Sequence, residues 1–250
     1  MRFETDSVGG VVFARADVEQ VSRWLTHDLA SDGVGINLRL ANAYNIALAS
    51  KSSSYAAILA DSRGINLPDG SPVALALRIR RKRPSASQVR GPSLFRASLE
   101  VTRNSDLSHF FLGSTEQVLQ SLTRNVRNQY EGVKIAGSYS PPFAEVDDDY
   151  VELCAQIVRK AEPDILWLGL GTPKQDILGT RLAHVLNIPI VNVGAAFDFV
   201  AGSVAEAPAW LQGTGMEWTY RLAKEPRRLW KRYIFGNMRF IWATMIQWRG

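Results

Sequence analysis

The chain has 250 residues, of which 46% are hydrophobic, so it can bury a sizeable core as one large or two small domains. This composition excludes an intrinsically disordered chain, and the single cysteine, Cys154, excludes an internal disulfide framework and suits a reducing compartment. The net charge of +5 is uneven, because residues 207–250 carry eight Lys or Arg against two Glu, whereas the rest is close to neutral. We therefore expect a negatively charged partner at the carboxyl-terminal segment.

Several signals that define other classes of protein are absent. The amino terminus has no basic-then-apolar signal peptide, and no run approaches the ~20 apolar residues of a membrane span, so we expect a cytoplasmic protein. The three histidines lack metal-ligand spacing, and Walker A, nucleophile-elbow and complete dinucleotide-binding motifs are missing. The acidic run Asp147–Asp149 is compatible with a metal-binding motif or with the first turn of a helix, and the helix fits its position better. The sequence thus predicts no metal and no cofactor.

Strand and helix signals alternate along the first 205 residues. Short apolar runs predict buried strands, and apolar residues at helical spacing after a capping residue predict helices. The predicted strands are Gly35–Ala41, Ile65–Leu67, His109–Leu112, Val133–Ala136, Ile165–Leu168 and Ile188–Val193. Helices are predicted to begin at Asp17, Asn42, Ser52, Ser71, Leu94, Glu116, Asp147 and Thr172, with a hairpin at Gly9-Gly10 and a basic loop over Arg78–Arg90. This alternation predicts an α/β domain with a mostly parallel sheet and helices on both faces.

The stretch from Pro163 to Asp198 contains the clearest ligand-binding pattern. Its first strand ends at Gly169-Leu170-Gly171, where glycine lets the backbone turn sharply. Thr172-Pro173 then predicts an N-cap and a first helical residue, which places Lys174 and Gln175 in a first turn whose free N–H groups favour anions. A second buried strand is followed by another glycine-led turn, so both loops are expected at one edge of the sheet, the usual place for a phosphate.

Five charged side chains are candidates for catalysis or binding. Asp69 lies in a Pro-Asp-Gly loop at a strand's carboxyl end, where a catalytic base would face the same crevice, although this tripeptide also forms ordinary turns. Asp198 is suited to accept a hydrogen bond from a ribose or sugar hydroxyl, or to cap the next element. Lys174, Arg78 and Arg90 are suited to a diphosphate, and solvated surface charge is the alternative for each.

The carboxyl-terminal segment combines tryptophan with basic residues. It holds five of the seven tryptophans, and Pro226 is suited to be the first residue of a helix. The predicted faces of that helix are Leu229, Trp230, Tyr233 and Ile234 on one side and Arg227, Arg228, Lys231 and Arg232 on the other. Such a helix lies in an anionic membrane interface, or it docks on the core with a solvated basic face. We therefore divide the chain into an α/β domain, residues 1–205, and a helical basic and aromatic appendage, residues 206–250.

Nine short motifs in unbroken order resemble one known family. They are Asn42-Ala43, Leu67–Gly70, Phe111–Gly113, Val133–Gly137, Gly169–Gln175, Gly194–Phe199 with Ala201-Gly202, Ala207-Pro208, Gly215–Arg221 and Glu225–Arg228. Together they resemble the WecG/TagA/CpsF glycosyltransferases, glycosyltransferase family 26, from about residue 34 to residue 235. Each motif is weak alone, and their order makes the resemblance specific.

The resemblance implies a fold and a reaction. The fold is a Rossmann-like α/β core with a carboxyl-terminal appendage that meets the membrane and helps to build the active site. The reaction is the inverting transfer of a sugar, commonly of the N-acetylmannosamine type, from a UDP-sugar to a polyprenyl-diphosphate-linked sugar in bacterial cell-envelope polysaccharide synthesis, without a metal motif. The implied partners are these two substrates, the inner face of the cell membrane and further copies of the chain.

The resemblance also assigns roles by position. Asp69 matches the base that deprotonates the acceptor hydroxyl, and Gln175 and Asp198 match residues of the nucleotide-sugar site. Basic residues of the cleft and of the appendage match positions suited to the substrate diphosphates. Arg90 matches the basic residue of the cleft, and the other substrate-binding residues, which lie in the matching motifs, are Asn42, Gly171, Lys174, Arg221, Arg227 and Arg228.

Two departures from the family pattern concern the donor sugar rather than the type of reaction. Leu40 stands where many members have a threonine, and Ser93 replaces the usual acidic residue after the Arg90-Gly91 turn. The first departure leaves an alternative in which the protein binds a nucleotide sugar without catalysis. A nucleic-acid binder that uses the basic segment is a further alternative, but the neutral core and the lack of a recognisable module argue against it, so we expect no nucleic acid partner.

Overall fold

The computed structural model describes residues 3–81, 87–212, 214 and 216–248, without the side chains of residues 80–81, 228–229, 231–235 and 247–248. Within these ranges the strands are β1 (Thr5–Val8), β2 (Val11–Ala14), β3 (Ile36–Ala41), β4 (Gly64–Pro68), β5 (Ser108–Gly113), β6 (Lys134–Tyr139), β7 (Ile165–Gly169) and β8 (Pro189–Asn192). The helices are α1 (Val18–Arg23), α2 (Ala43–Ala49), α3 (Ser53–Ala60), α4 (Ser71–Arg81), α5 (Gly91–Val101), α6 (Glu116–Gln129), α7 (Asp148–Ala161), α8 (Lys174–Ala183), α9 (Ala196–Ala201), α10 (Glu217–Lys224) and α11 (Pro226–Trp248), with a π-helix at Trp24–Leu29 and a 3-10 helix at Ala209–Leu211.

Six parallel strands form the central sheet, in the order β4-β3-β8-β7-β5-β6. The hairpin β1-β2 is separate and antiparallel, and its turn residues Gly9 and Gly10 both have positive φ, as the predicted hairpin requires. Because all strands of the central sheet run in one direction, their carboxyl ends lie at one edge. The predicted α/β class with a mostly parallel sheet is confirmed.

Apolar helices cover both faces of the sheet. On one face Trp167 of β7 packs edge to face against Phe95 of α5, with ring centroids 4.8 Å apart, and Phe197 of α9 belongs to the same cluster. On the other face Leu166 of β7 packs in a cluster with Leu178 of α8. Since successive strand residues point to opposite faces, a strand covered on both sides is a continuous apolar run, as the sequence predicts for β7.

Two predicted N-caps, Asp17 and Asn42, are confirmed, and Asp147 caps the helix that the acidic run is predicted to open. The side chains of Asp17, Asn42 and Asp147 each accept a hydrogen bond from a backbone N–H in the first turn of α1, α2 and α7. Asp148 and Asp149 lie in the first turn of α7, where carboxylates interact favourably with the helix dipole. The acidic run therefore opens a helix, as the sequence predicts.

The start of α8 differs from its prediction by one residue. α8 begins at Lys174, and Pro173 occupies the N-cap position instead of the first helical position. The Thr172 side chain does not cap the helix, because it interacts as a hydrogen-bond donor with the buried carboxyl group of Asp176. The predicted N-cap at Thr172 is therefore wrong, although Lys174 and Gln175 do lie in the first turn.

The predicted basic loop Arg78–Arg90 is wrong at its start. α4 continues through Arg81, because Val73 and Leu77, one helical turn apart, are both buried against the core and Arg78 follows on the exposed side. Residues 82–86 lie outside the described residues, and residues 87–90 form neither helix nor strand.

His109 and Cys154 are fully buried. The Nδ1 atom of His109 accepts a hydrogen bond from the indole N–H of Trp167 at 2.9 Å, and Nε2 lies 2.8 Å from the Thr102 hydroxyl. Burial lowers the pKa of His109 to about 4, so the ring is neutral. Burial raises the pKa of the Cys154 thiol to about 11, which disfavours the reactive thiolate.

The carboxyl-terminal helix begins at Pro226, as predicted, and packs along α2. A methyl group on Gly236 would lie 3.3 Å from the Tyr44 ring, and Phe240 and Ala243 are buried in a cluster with Ile46 of α2. The opposite side of α11 exposes Met238, Ile241, Trp242, Met245 and Ile246. No helix in the described part of the chain is long and apolar enough to cross a membrane.

Two predictions about this segment are not tested by these contacts. The predicted apolar and basic faces of the first turns of α11 depend on side chains of residues 228–229 and 231–234, which lie outside the described residues. The division of the chain into residues 1–205 and residues 206–250 also stays a prediction.

Candidate active site

The loops that follow β3, β4, β7 and β8 meet at the carboxyl edge of the sheet and enclose a cleft of about 200 Å³. Residues of α10 and α11 line its remaining side. The predicted site residues that line this cleft are Asn42, Asp69, Arg90, Gly171, Gln175 and Arg221. The carboxyl edge of an open parallel sheet is where such folds bind ligands, so this cleft is the candidate active site.

Asp69 follows β4 directly and lines the cleft as a half-buried carboxylate. Its backbone N–H donates to the carbonyl oxygen of Ala41 at 2.9 Å, which ties the loop after β4 to the end of β3. Gly70 then turns the chain into α4 with a φ of +86°, a conformation that favours glycine. The rigid ends of two strands therefore hold the carboxylate at the edge where the sequence predicts it.

Gln175 connects the two glycine-led loops of the cleft. Its Oε1 atom accepts the backbone N–H of Gly171 at 3.0 Å, and its side chain is almost fully buried. A Cβ atom on Gly194 would lie 3.8 Å from the Nε2 atom of Gln175, so the side-chain amide also contacts the loop after β8. Oε1 already accepts one hydrogen bond, and the donors that Gln175 can offer a ligand are those of its NH2 group.

Arg90 is held by acidic side chains from the carboxyl-terminal part of the chain. Its guanidinium donates to both carboxylate oxygens of Glu217, at 2.7 and 3.0 Å, and to Glu206 at 2.9 Å. It also donates to Gln212 at 3.1 Å and to Ser93 at 3.1 Å. The sequence predicts Arg90 as a cation for a substrate diphosphate, whereas in the structure its charge is matched within the protein.

The protonation of this cluster follows from its contacts. Burial lowers the pKa of Arg90, but the hydrogen bonds and charges of Glu217 and Glu206 outweigh it, so the pKa of Arg90 is raised. Burial raises the pKa of Glu206, and the opposing contacts of Arg96 and Arg90 bring this pKa below its ordinary value. Both partners are therefore charged at neutral pH, and the cluster joins α5 to α10.

The appendage arginines differ in their relation to the cleft. Arg221 of α10 lines the cleft, and its guanidinium lies 5.6 Å from the centre of the Phe199 ring. Arg227 is exposed in the first turn of α11 and does not line the cleft. The side chain of Arg228 lies outside the described residues.

Lys174 and Asp198 do not line the cleft. The Lys174 ammonium donates to the carbonyl oxygen of Ala144 at 2.7 Å and lies 4.4 Å from the centre of the Tyr150 ring, on the side of α7. Asp198 lies in the first turn of α9, where its carboxylate is within 3.4 Å of the Ser203 hydroxyl. The first turn of α8 thus contributes Gln175 to the cleft and directs Lys174 away from it.

Several cleft residues were not predicted as site residues. They include Tyr44, Asn192, Glu217, Trp218 and Asn237. Asn192 had a detectable signal, because it is a polar residue in the otherwise apolar run Ile188–Val193 at a strand's carboxyl end. Glu217 lies in the motif Gly215–Arg221, but nothing in the sequence indicates its contact with Arg90, which is 127 positions away. Within the described residues, no three His, Cys, Asp or Glu side chains converge in a way that could hold a metal ion.

The protein has an open parallel sheet with a polar cleft at the carboxyl ends of the strands. This arrangement is typical of the α/β proteins that bind their ligand at that edge of the sheet. The family model described as the glycosyl transferase WecG/TagA/CpsF family matches residues 7–250. The chain belongs to this glycosyltransferase family, and the resemblance that the motifs indicate is confirmed.

Two relatives carry the same name, N-acetylglucosaminyldiphosphoundecaprenol N-acetyl-beta-D-mannosaminyltransferase. The protein of Bacillus subtilis strain 168 is 27% identical over 235 residues, which cover 92% of this chain and 88% of the relative. The protein of Bacillus spizizenii strain W23 is 30% identical over 181 residues, which cover 72% of this chain and 67% of the relative. Similarity to the first of these relatives thus extends over nearly the whole chain.

Proposed function

We propose that this protein transfers a sugar of the N-acetylmannosamine type, with inversion, from a UDP-sugar to a polyprenyl-diphosphate-linked sugar in cell-envelope polysaccharide synthesis. The observation that carries the proposal is a carboxylate, Asp69, held by two strand ends in the cleft of a chain that belongs to a glycosyltransferase family. The names of the two Bacillus relatives support an N-acetylmannosamine-type donor and an N-acetylglucosamine-diphosphoundecaprenol-type acceptor.

Asp69 is the general base in the proposed step. The acceptor hydroxyl gives its proton to the Asp69 carboxylate while its oxygen attacks the anomeric carbon of the donor sugar. The bond between that carbon and the phosphate oxygen of UDP breaks, and UDP leaves with the electron pair. Attack from the face opposite the departing UDP inverts the configuration at the anomeric carbon.

Arg221 is the residue that we assign to the departing diphosphate. Arg90 and Arg221 are the basic residues among those that line the described part of the cleft, and the charge of Arg90 is already matched by Glu217 and Glu206. The NH2 group of Gln175 supplies a neutral donor at the same wall. We assign Arg227 and Arg228, in the first turn of α11, to the diphosphate of the lipid-borne acceptor.

The exposed side of α11 supports contact with the membrane that contains such an acceptor. Five large apolar side chains are exposed on one helix that starts with basic residues and packs on the core by its other side. An exposed apolar surface beside positive charge suits the interface of an anionic bilayer. We therefore propose peripheral association with the inner face of the cell membrane.

Removing two of these side chains is expected to weaken membrane binding. The variant Ile241→Ser/Trp242→Ser should bind anionic phospholipid vesicles at least tenfold less tightly, since each apolar side chain loses up to about 2 kcal/mol of burial in the acyl boundary and a total loss of about 1.4 kcal/mol is already tenfold. Vesicle flotation at several lipid concentrations measures the change. The control is Leu153→Ser, which alters an exposed apolar residue of α7, away from the appendage. Equal binding of the two variants would contradict the proposed contact.

The reaction is tested by UDP release from a panel of UDP-sugars. Each donor is incubated with the protein, with and without a short-chain prenyl-diphosphate-N-acetylglucosamine acceptor. We expect acceptor-dependent release of UDP with an N-acetylmannosamine-type donor, and a disaccharide-lipid product with inverted configuration. UDP-sugar binding without UDP release from any donor would instead favour a non-catalytic nucleotide-sugar-binding protein, the alternative that Leu40 in the cleft wall supports.

A further inference from the structure

A buried carboxylate lies behind the wall of the cleft. Asp176 of α8 is fully buried and accepts hydrogen bonds from the Tyr55 hydroxyl at 2.7 Å and from the side-chain amides of Asn45 and Asn192 at 3.2 and 3.1 Å. A buried carboxylate is unfavourable unless it is paired or hydrogen-bonded, so this cluster needs all of its donors. None of the steps proposed for the reaction uses Asp176.

Two of these hydrogen bonds lead to residues that line the cleft. Asn192 lines the cleft itself, at the end of β8. Asn45 is connected to the cleft by a hydrogen bond to Asn42, since the Oδ1 atom of Asn45 accepts the backbone N–H of Asn42 at 3.0 Å. Asn42 in turn accepts the N–H of Tyr44 at 3.0 Å, and both residues line the cleft. One carboxylate on the helix after β7 is therefore tied to the loops after β3 and β8.

The direction of these hydrogen bonds depends on Asp176 acting only as an acceptor. Burial and the neighbouring Asp176 raise the pKa of Tyr55, so its hydroxyl stays protonated and donates. Burial raises the pKa of Asp176 above its ordinary value, although hydrogen bonds from Tyr55, Asn192 and Thr172 and the charge of buried Arg39 oppose that rise. The NH2 group of Asn45 donates to the Tyr55 hydroxyl at 2.8 Å and to Asp176 at 3.2 Å, and its Oδ1 atom is left to accept from Asn42.

We propose that Asp176 is a positioning residue, which fixes the side-chain orientation of Asn45 and Asn192 and so holds the loops after β3 and β8 in the geometry that transfer requires. The kinetic part of its test rests on the proposed function. Small displacements of positioning groups have large effects on rate, because the reacting atoms must approach within a narrow range of distance and angle.

The test replaces Asp176 by asparagine. The variant keeps the shape of the side chain, but its NH2 group faces the NH2 group of Asn45 or of Asn192. The amide that faces it either loses its hydrogen bond or turns, and both outcomes change its orientation at the cleft. We expect kcat to fall 10- to 100-fold with a change in KM of less than threefold. Thr180→Val is the matched control, because Thr180 is also buried on α8 and accepts hydrogen bonds from Arg39 and Asn37, which do not line the cleft. It should lower Tm to a similar extent and leave kcat within threefold.

Amide hydrogen exchange gives a readout that does not depend on activity. The amides of Asn42 and Tyr44 should exchange at least tenfold faster in Asp176→Asn than in Thr180→Val. If Asp176→Asn does not fold, Asn45→Ala removes the connection from Asp176 to Asn42, together with the Asn45 hydrogen bond to Tyr55, and keeps the connection through Asn192. It should give the same split between kcat and KM.

Equal losses of kcat in Asp176→Asn and Thr180→Val at equal Tm would overturn the proposal, and so would a rise in KM without a fall in kcat. If the unmodified protein transfers no sugar, the proposed function is wrong, but the positioning role of Asp176 is still tested by the amide exchange rates. Faster exchange at Asn42 and Tyr44 only in Asp176→Asn supports the positioning role, and equal exchange in both variants overturns it.

Discussion

Replacing Asp69 by asparagine is expected to lower kcat for sugar transfer by about 10³-fold, within the range that a positioned general base usually contributes. Asparagine has nearly the same shape but cannot accept the proton of the acceptor hydroxyl. KM for both substrates should change little, because the proposed role of the carboxylate is in the transition state rather than in binding. Initial rates of UDP release with varied donor and acceptor measure both constants.

Asp61→Asn is the matched control for this variant. Asp61 precedes β4, so it lies at the opposite end of the same strand, where its carboxylate contacts His184 and the backbone N–H of Arg63. The control removes the same charge and should keep kcat within about threefold of the unmodified protein. Turnover by Asp69→Asn equal to that of the control would exclude Asp69 as the base.

Replacing Arg90 by methionine is expected to affect both stability and transfer. The change leaves Glu217 without its bidentate partner, and breaking a buried ion pair in this way destabilises a protein by about 3 kcal/mol, or less where the partners are partly exposed. α10 then loses its contact with the start of α5, so Arg221 is no longer held at the cleft. We expect the free energy of unfolding to fall by about 2 kcal/mol and kcat/KM to fall about 100-fold.

A double variant distinguishes this role of Arg90 from direct contact with a substrate diphosphate. In Arg90→Met/Glu217→Leu both charges are replaced by apolar side chains, which commonly restores stability, and Glu206 keeps its ion pair with Arg96. Recovery of kcat/KM together with stability would mean that Arg90 acts by holding α10. Recovery of stability alone would mean that its charge acts on the substrate. Arg103→Met, which breaks an exposed ion pair with Glu100, should cost less than about 1 kcal/mol.

The parts of the fold that depend on a few neighbouring residues could be predicted from the sequence. The N-cap at Asn42 needs a residue whose side chain reaches an N–H two positions further on, and β7 needs an apolar run between turn residues. Asp69 follows from the same logic, because a residue directly after a parallel strand always lies at the carboxyl edge of the sheet. The order of neighbouring residues in the sequence therefore predicted both the carboxyl edge of the sheet and the acidic residue at that edge.

The parts that depend on distant residues could not be predicted. Thr172 has the chemistry of an N-cap, but its hydroxyl has a competing partner in the buried carboxyl of Asp176. Arg90 has the chemistry of a diphosphate ligand, but its partners Glu206 and Glu217 lie 116 and 127 positions away. Lys174 lies in the predicted helical turn, yet only the position of α7 decides that its ammonium contacts Ala144 and Tyr150. In each case a tertiary contact overrides a correct local tendency.

The strand order also determines when the central sheet can form while the chain is being synthesised. β8 is the last strand in the described part of the chain but lies in the middle of the sheet, where it pairs with β3 on one side and β7 on the other. A nascent chain that ends before Pro189 contains the pair β4-β3 and the trio β7-β5-β6 without any strand that connects them. The cleft is lined by residues of both parts. It therefore cannot form until β8 has emerged from the ribosome and paired with β3 and β7.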